Sequence, residues 1–419
     1  MSRAAIVTTI VYASLFLNFF LVASFDCLSP RLADDHGITY QQLSVIVSMK
    51  SFVNMICGPV FALVSSKLPA YLLFSIGGFC VAGSMTGIAF SVSETGFLIS
   101  RGLHGIGTSG LMVGGMSILM RCVSKKERGR YSSIAYSSAG HAPLVAPILS
   151  GLMYDKLGQT WTFLIIAMLT YAVTAVSFVA LAKVTRVPRL EQSESQLTTI
   201  EKRMIWPCFK SMLSSPITFV ALAGIISDGF SFGSCETTLP AALVDWDGGK
   251  LSVLTTSLIY SAGPLTFTIV APIAGYMVDK TAHYKVLLTG LVLYMVFFPL
   301  FHIFTRSLVG LGACISLAFG IAATCEVAIY PFIAEIAELS GIAHADTIAY
   351  AMNELFIQAG YAVGNVVGRA LFDWEGFLAM GAFISGWDFL AIAFSFTVLF
   401  VRRRKDLKSP RVPVSNEAS

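Results

Sequence analysis

Charge is what this sequence lacks most. Only 12% of its 419 residues are Asp, Glu, Lys or Arg, while 55% are hydrophobic. A water-soluble globule of this size carries roughly twice that charge, so a soluble protein is excluded. The eight cysteines form no CxxC pair and no metal-ligand spacing, and read as apolar packing thiols. There is no Asn-x-Ser/Thr acceptor, no nucleophile–base pair, no phosphate-binding loop and no ATP-binding domain. An enzyme, an ATP-driven pump, a nucleic-acid partner, a metal and a cofactor are therefore not expected. The first apolar run is long and has no small-residue cleavage site, so it reads as a transmembrane helix and not as a removed leader.

What the chain has in abundance is apolar runs of bilayer length. Twelve are placed near residues 5–27, 40–66, 70–91, 96–119, 130–154, 160–182, 213–243, 252–278, 284–304, 308–336, 345–371 and 377–401. A polar connector, residues 184–212, separates an N-terminal bundle (1–183) from a C-terminal bundle (213–402), and a basic tail follows (403–419). The expected fold class is an all-α membrane protein of twelve transmembrane helices in two six-helix bundles. Lys and Arg are distributed unequally. Twenty-one fall on the side of the termini and the connector, four on the opposite loops (Arg31, Lys156, Lys250, Arg306), and Lys50, Arg101 and Arg369 lie inside helices. That asymmetry puts both termini in the cytosol. The tail RRRKDLK serves as a stop-transfer signal or touches anionic lipid.

Polar groups inside these runs carry the functional information. In Tyr350–Arg369 (YAMNELFIQAGYAVGNVVGR), helical periodicity puts Glu354, Gln358, Tyr361, Asn365 and Arg369 on one stripe. Lipid cannot face it, since a charge at mid-bilayer costs at least ~2.5 kcal/mol. It lines either a polar path or a structural ion pair. Lys50 and Asn54 share a face of the second helix, where Lys50 either snorkels to the interface or pairs with an acid, Glu354 being the candidate. Asn18 sits mid-helix, in a helix–helix hydrogen bond or against a ligand. Asp26, near the end of its run, is expected to be solvent-exposed. Arg101 stands beside Gly105, Gly107 and Gly110, which suit close helix packing, and His141 is expected to be a packed neutral imidazole. Glu236 lies four residues before Pro240 and Glu326 five before Pro331, while Glu335 and Glu338 are nearer the surface. Carboxyl groups withdrawn from water are natural places to bind and release protons. The excess of acids over bases suits protons or a cationic substrate.

These residues resemble the major facilitator superfamily, particularly its vesicular amine transporter family. Arg101–Gly107 (RGLHGIG) is similar to RxxQGxG with His104 in place of glutamine, Glu127-Arg128-Gly129 to ERG, and Ala146-Pro147 with Gly151 to GPxxG. Glu236-Thr-Thr-Leu-Pro240 resembles E-P-A-L-P. Tyr350-Ala-Met-Asn-Glu354 with Gly360-Tyr361-Ala-Val-Gly364 resembles Y-A-I-A-D followed by G-Y-A-I-G, and Lys50 keeps the family's nine-residue spacing to Pro59. The departures are specific. The family's helix 1 aspartate is Asn18, the acids at 326 and 354 are glutamates, and only about a dozen residues are left for the loop between helices 1 and 2. Gly275-Tyr-Met-Val-Asp279-Lys280 keeps part of a cytosolic loop motif.

The resemblance implies a major facilitator fold and alternating access, with proton-coupled antiport of an organic cation, an amine or polyamine. Glu236 and Glu326 would attract the cation. Asn18, Asn54 and Tyr361 would shape its pocket, and Phe267 would offer an aromatic face. Glu354 paired with Lys50 would be the protonation switch, Arg101 would support proton coupling, and Asp279 would belong to a cytosolic gate. The protein would act as a monomer in an intracellular vesicle membrane or the plasma membrane. The competing readings are a broad-specificity drug/proton antiporter and a non-transporting membrane sensor that kept the fold.

Overall fold

The computed structural model describes residues 3–64, 68–123, 131, 134–135, 137–185, 210, 215–245, 251–339 and 345–408. The expected connector, the loop holding Glu127-Arg128-Gly129, and the end of the basic tail lie outside the described residues. The elements described are helical throughout, as hydrocarbon demands of a chain that must satisfy every backbone group internally. In order they are α1 (Arg3–His36), α2 (Tyr40–Val64), α3 (Ala70–Phe90) and α4 (Glu94–Cys122). The run Ser138–Thr185 breaks at Gly158 into α5 (138–157) and α6 (159–185). Next come α7 (Pro216–Val244), α8 in two pieces (Val253–Tyr260 and Ala262–Lys280), and α9 (His283–Phe297), which continues through a 3-10 turn to Phe304. Last are α10 (Leu308–Leu339) and the run Ala345–Lys408, broken at Glu375–Gly376 into α11 (345–374) and α12 (377–408).

Among the described residues, nine helical runs are long and apolar enough to cross a membrane, two of them the double-length runs just divided. With those split, and with α4, whose Glu94, Arg101 and His104 lower its hydropathy, the rods number twelve. Both breaks are glycines at positive φ, 71° at Gly158 and 63° at Gly376, where a side chain would be strained. The chain therefore reverses between consecutive rods without a long loop.

The first helix departs from expectation. It runs to His36, leaving only Gly37–Thr39 before α2. Pro30 is accommodated inside it, as membrane helices allow. The helix ends on Gly37 at φ 65°, with Ile38 N–H donating to Ala33 and Gly37 N–H to Asp34, a glycine stop.

Two apolar cores fill the molecule. One joins Val7 through Leu181 and the other Val220 through Ile392, with Cys27 of α1 reaching into the second. Seams of near-backbone contact hold each together. A β-carbon on Gly110 would lie 2.8 Å from the Gly77 Cα, and one on Gly364 would lie 2.3 Å from the Phe230 carbonyl oxygen. These glycines bring α3 against α4 and α7 against α11 at a distance no side chain permits. The second seam matters for function because α7 and α11 carry Glu236 and Glu354.

Candidate transport site

The stripe on α11 turns inward and finds its partners on other helices. Asn365 Nδ2 donates to Glu236 of α7 at 3.3 Å, and the Tyr361 hydroxyl donates to Glu326 of α10 at 3.0 Å. Glu354 Oε1 accepts from Gln358 one turn on, at 3.0 Å, and from Asn54 of α2 at 3.1 Å. The Asn54 contact crosses between the two apolar cores. The Asn54 carbonyl oxygen is itself fixed by the Ser109 hydroxyl of α4 at 2.5 Å. The amide therefore has one orientation, with its NH2 aimed at Glu354. Glu236, Glu326 and Glu354 are only partly buried. Arg369, the last member of the stripe, instead pairs with Asp373 at 2.5 Å and stacks over Tyr40 at 4.6 Å.

The expected Lys50–Glu354 ion pair is not formed. Glu354 is occupied by the two amides, while the carboxylate acting most strongly on Lys50 is Glu236, followed by Asp26, with Glu354 weakest of the three. Asn54, one turn along α2 from Lys50, has taken the place the lysine was expected to hold.

The N-terminal core supplies a second polar cluster, built on Arg101. Its guanidinium lies 3.5 Å from the Asp26 carboxylate and 4.4 Å from the centre of the Phe25 ring, and donates to the Val47 carbonyl at 3.3 Å. Arg101 and Asp26 are 1% and 3% exposed, so the expectation that Asp26 is solvent-exposed is corrected. Because α1 continues to His36, Asp26 lies well below the helix end and within reach of α4. The guanidinium also approaches His104 Nδ1 at 3.3 Å, leaving the ring proton on Nε2 to bond Asn18 Oδ1 at 3.2 Å. Thr108 donates to the same oxygen at 2.8 Å. Both readings of Asn18 thus keep support: its oxygen ties α1 to α4, and its buried NH2 has no partner. Glu236 of the C-terminal half is close enough to act electrostatically on both Asp26 and Arg101. The Arg101 cluster therefore meets the acids of the other half.

The remaining expected residues are dispersed. Phe267 stands partly buried on α8 and joins none of the described ring pairs. Aromatic faces near the acids come instead from Phe232, edge-on to Phe319 at 4.8 Å and to Tyr361 at 5.9 Å. Asp279 is at the end of α8, and its side chain is outside the described residues. His141 is exposed and hydrogen-bonded to Tyr12 at 3.0 Å, and Glu335 pairs with His283 near the surface. Asp26, Ser109 and Phe232 were not singled out from sequence as site residues. Only the order of helices in space brings them to the site, and no spacing along one helix reports that.

At one end the two halves are sealed. The Tyr40 hydroxyl donates to Asp245 at 2.8 Å, Arg31 to the Leu251 carbonyl at 2.5 Å, and Leu254 N–H to Asp155 at 3.0 Å. The Cys27 thiol meets the Ser257 hydroxyl at 3.4 Å just below them. With Asn54–Glu354, these hydrogen bonds join the two halves at mid-membrane depth and toward the end opposite the termini.

Comparison with known proteins agrees with this architecture. The Major Facilitator Superfamily model matches residues 11–345. The synaptic vesicular amine transporter of Homo sapiens is 25% identical over 347 residues, covering 80% of this chain and 62% of that protein. The chromaffin granule amine transporter of Rattus norvegicus is 23% identical, covering 80% and 61%. The chain thus spans less than two thirds of the length of these relatives. Among solved structures, a POT family transporter in complex with a thioalcohol-conjugated peptide superposes with a TM-score of 0.72 at 13% identity, covering 95% of this chain and 96% of that one. The superposition speaks to the fold, and the family model spans most of the sequence; the chain belongs to the Major Facilitator Superfamily.

Proposed function

We propose that the protein is a proton-coupled antiporter of an organic cation, an amine or polyamine, working by alternating access. One observation carries this reading: Glu354, flanked by Glu236 and Glu326 on the C-terminal half, is hydrogen-bonded across the interface to Asn54. A carboxylate accepts two amide hydrogen bonds readily. Both amides bond Oε1, and a proton on the other oxygen removes the negative charge that strengthens them. Proton uptake at Glu354 therefore weakens the joint between halves, while a cation among the three acids strengthens the state that holds it. A difference of a few kcal/mol between the two states is enough to reverse which dominates. The amine transporters at 25% identity support an amine as the cargo.

In this reading Glu236 and Glu326 hold the cation, Tyr361 and Asn365 orient those acids, and Asn18 and Asn54 complete the pocket. Lys50 sets the charge balance beside Glu236, Arg101 joins proton coupling through Asp26, and Asp279 belongs to the gate at the terminal side. The termini face the cytosol, and the sealed end faces the vesicle lumen or the outside. The chain acts as a monomer.

The test is uptake of labelled spermidine into reconstituted vesicles with an acid interior, comparing wild type with Glu354→Gln. Gradient-driven uptake that disappears in the variant is expected. Uptake that survives in Glu354→Gln would remove Glu354 from coupling, and transport of many unrelated cations would favour the drug antiporter. Silence across spermidine, monoamines and drug-like cations would favour the sensor.

A further inference from the structure

A second acidic cluster lies inside the C-terminal half, away from the inter-half contacts. Asp228 of α7 and Asp388 of α12 are both 0% exposed. Asp228 Oδ1 accepts from the Tyr294 hydroxyl of α9 at 3.2 Å, and Asp388 Oδ1 accepts a short hydrogen bond from the Ser227 hydroxyl. The other oxygen of each carboxyl has no partner, and neither has the buried hydroxyl of Ser231, one turn from Ser227 and within reach of Asp388. The titratable groups facing Asp228 are Tyr294 of α9, Cys325 and Glu326 of α10, and Asp388 itself. None is a cation, and Asp388 is faced by the Ser227 and Ser231 hydroxyls, with Asp228 and Cys325 also near it.

Two carboxylates in such surroundings cannot both remain ionised and uncompensated, because an unpaired buried charge is among the most costly features a protein can hold. Among the described residues no arginine, lysine or histidine is paired with either of them. The unsatisfied atoms are three oxygens, two of them carboxylate, with the Ser227 and Tyr294 oxygens close by. These are hard ligands, suited to an alkali cation or a proton and unsuited to a thiol- or imidazole-seeking metal. Among the described residues no group of three or more His, Cys, Asp or Glu side chains could hold a metal ion. Two buried carboxyls that share one proton leave a single negative charge, which a monovalent ion balances.

We propose that Asp228 and Asp388, with Ser227, Ser231 and Tyr294, form a buried site for a small monovalent cation, a sodium ion or a proton, inside the C-terminal half. The site ties α7, α9 and α12 together, and α7 carries Glu236 at its other face. Occupancy thus stabilises the half that holds the transport acids, with Glu326 the transport acid that Asp228 faces.

The experiment reads binding and needs no transport, so its outcome is independent of the antiport reading. Thermal unfolding of the purified full chain in detergent is followed in sodium chloride and in N-methylglucamine chloride of equal ionic strength, each at a mildly acid and a mildly alkaline pH. A ligand bound only by the native state raises the midpoint. A rise of a few degrees with sodium at alkaline pH identifies sodium. A rise on acidification whatever the salt identifies the proton. In either case Asp228→Asn and Asp388→Asn are expected to abolish the response, while Glu354→Gln retains it. If an asparagine variant does not fold, Ser231→Ala removes one oxygen without adding bulk and is expected to weaken the response several-fold. A wild type indifferent to both ions, or a response undiminished in these variants, overturns the proposal.

Discussion

Replacing Asp26 by asparagine tests the Arg101 cluster directly. The charges are 3.5 Å apart, where Coulomb attraction at an effective dielectric of ~20 is about 5 kcal/mol. Forming the pair cost much of that in lost hydration, so the pair need add little net stability. Removing one partner is different, because the guanidinium stays buried at 1% exposure, and such losses run about 3–5 kcal/mol. Glu236 also acts on Arg101, and the Phe25 ring remains beneath it, so we expect about 3 kcal/mol, the lower end. Equilibrium unfolding in mixed micelles measures it. Asp26→Asn with Arg101→Gln should recover part of the loss, because the buried charge is then gone. A single-variant loss below ~1 kcal/mol, or a double variant no better than the sum of the singles, would refute a buried, mutually dependent pair.

Three further outcomes are expected. Gly364→Leu forces a side chain into a β-carbon position 2.3 Å from the Phe230 carbonyl; loss of folded protein on size-exclusion chromatography is expected, whereas Gly386→Ala, with open space around it, should behave as wild type. Tyr40→Phe deletes the hydroxyl that bonds Asp245 at 2.8 Å; in a background where Cys27 is the sole cysteine, its modification by a water-soluble thiol reagent should rise several-fold, and no change would mean that the seal does not depend on that bond. Tyr361→Phe frees Glu326 from its 3.0 Å partner; a several-fold rise in KM for the amine with little change in maximal rate is the expected signature of a residue that orients a binding acid.

Twelve apolar runs and the inward stripe on α11 could be read from residue order, because hydropathy and helical period are local properties. The reach of α1 to His36 could not. Asp26 reads as a surface residue, and its partner, the guanidinium of Arg101, is seventy-five positions away in sequence. The partner of Glu354 was misjudged for a related reason. Lys50 and Asn54 share a face of α2, and charge alone favoured the lysine. Which of the two meets Glu354 is decided by the height at which α2 and α11 cross, and by Ser109, whose hydroxyl fixes the amide. The Ser227–Asp388 hydrogen bond spans 161 residues of sequence and reveals itself only once α7 and α12 lie side by side.

The glycine seam between α7 and α11 has a consequence for how charge moves. Glu236 and Glu354 ride on two helices locked together almost backbone to backbone, and Tyr361 links the same unit to Glu326 on α10. In the proposed cycle the three acids would then move as one unit, carrying their negative charge together. Lys50 and Arg101 belong to the opposite half, held against α4 by Gly105, whose β-carbon would fall 2.5 Å from the Lys50 carbonyl. Rocking the halves changes the separation of two rigid plates of opposite net sign. Under the proposed alternating access, a cation or proton seated between them would lower the work of pulling the plates apart, and an empty, unprotonated carrier would resist the motion that leaks a gradient.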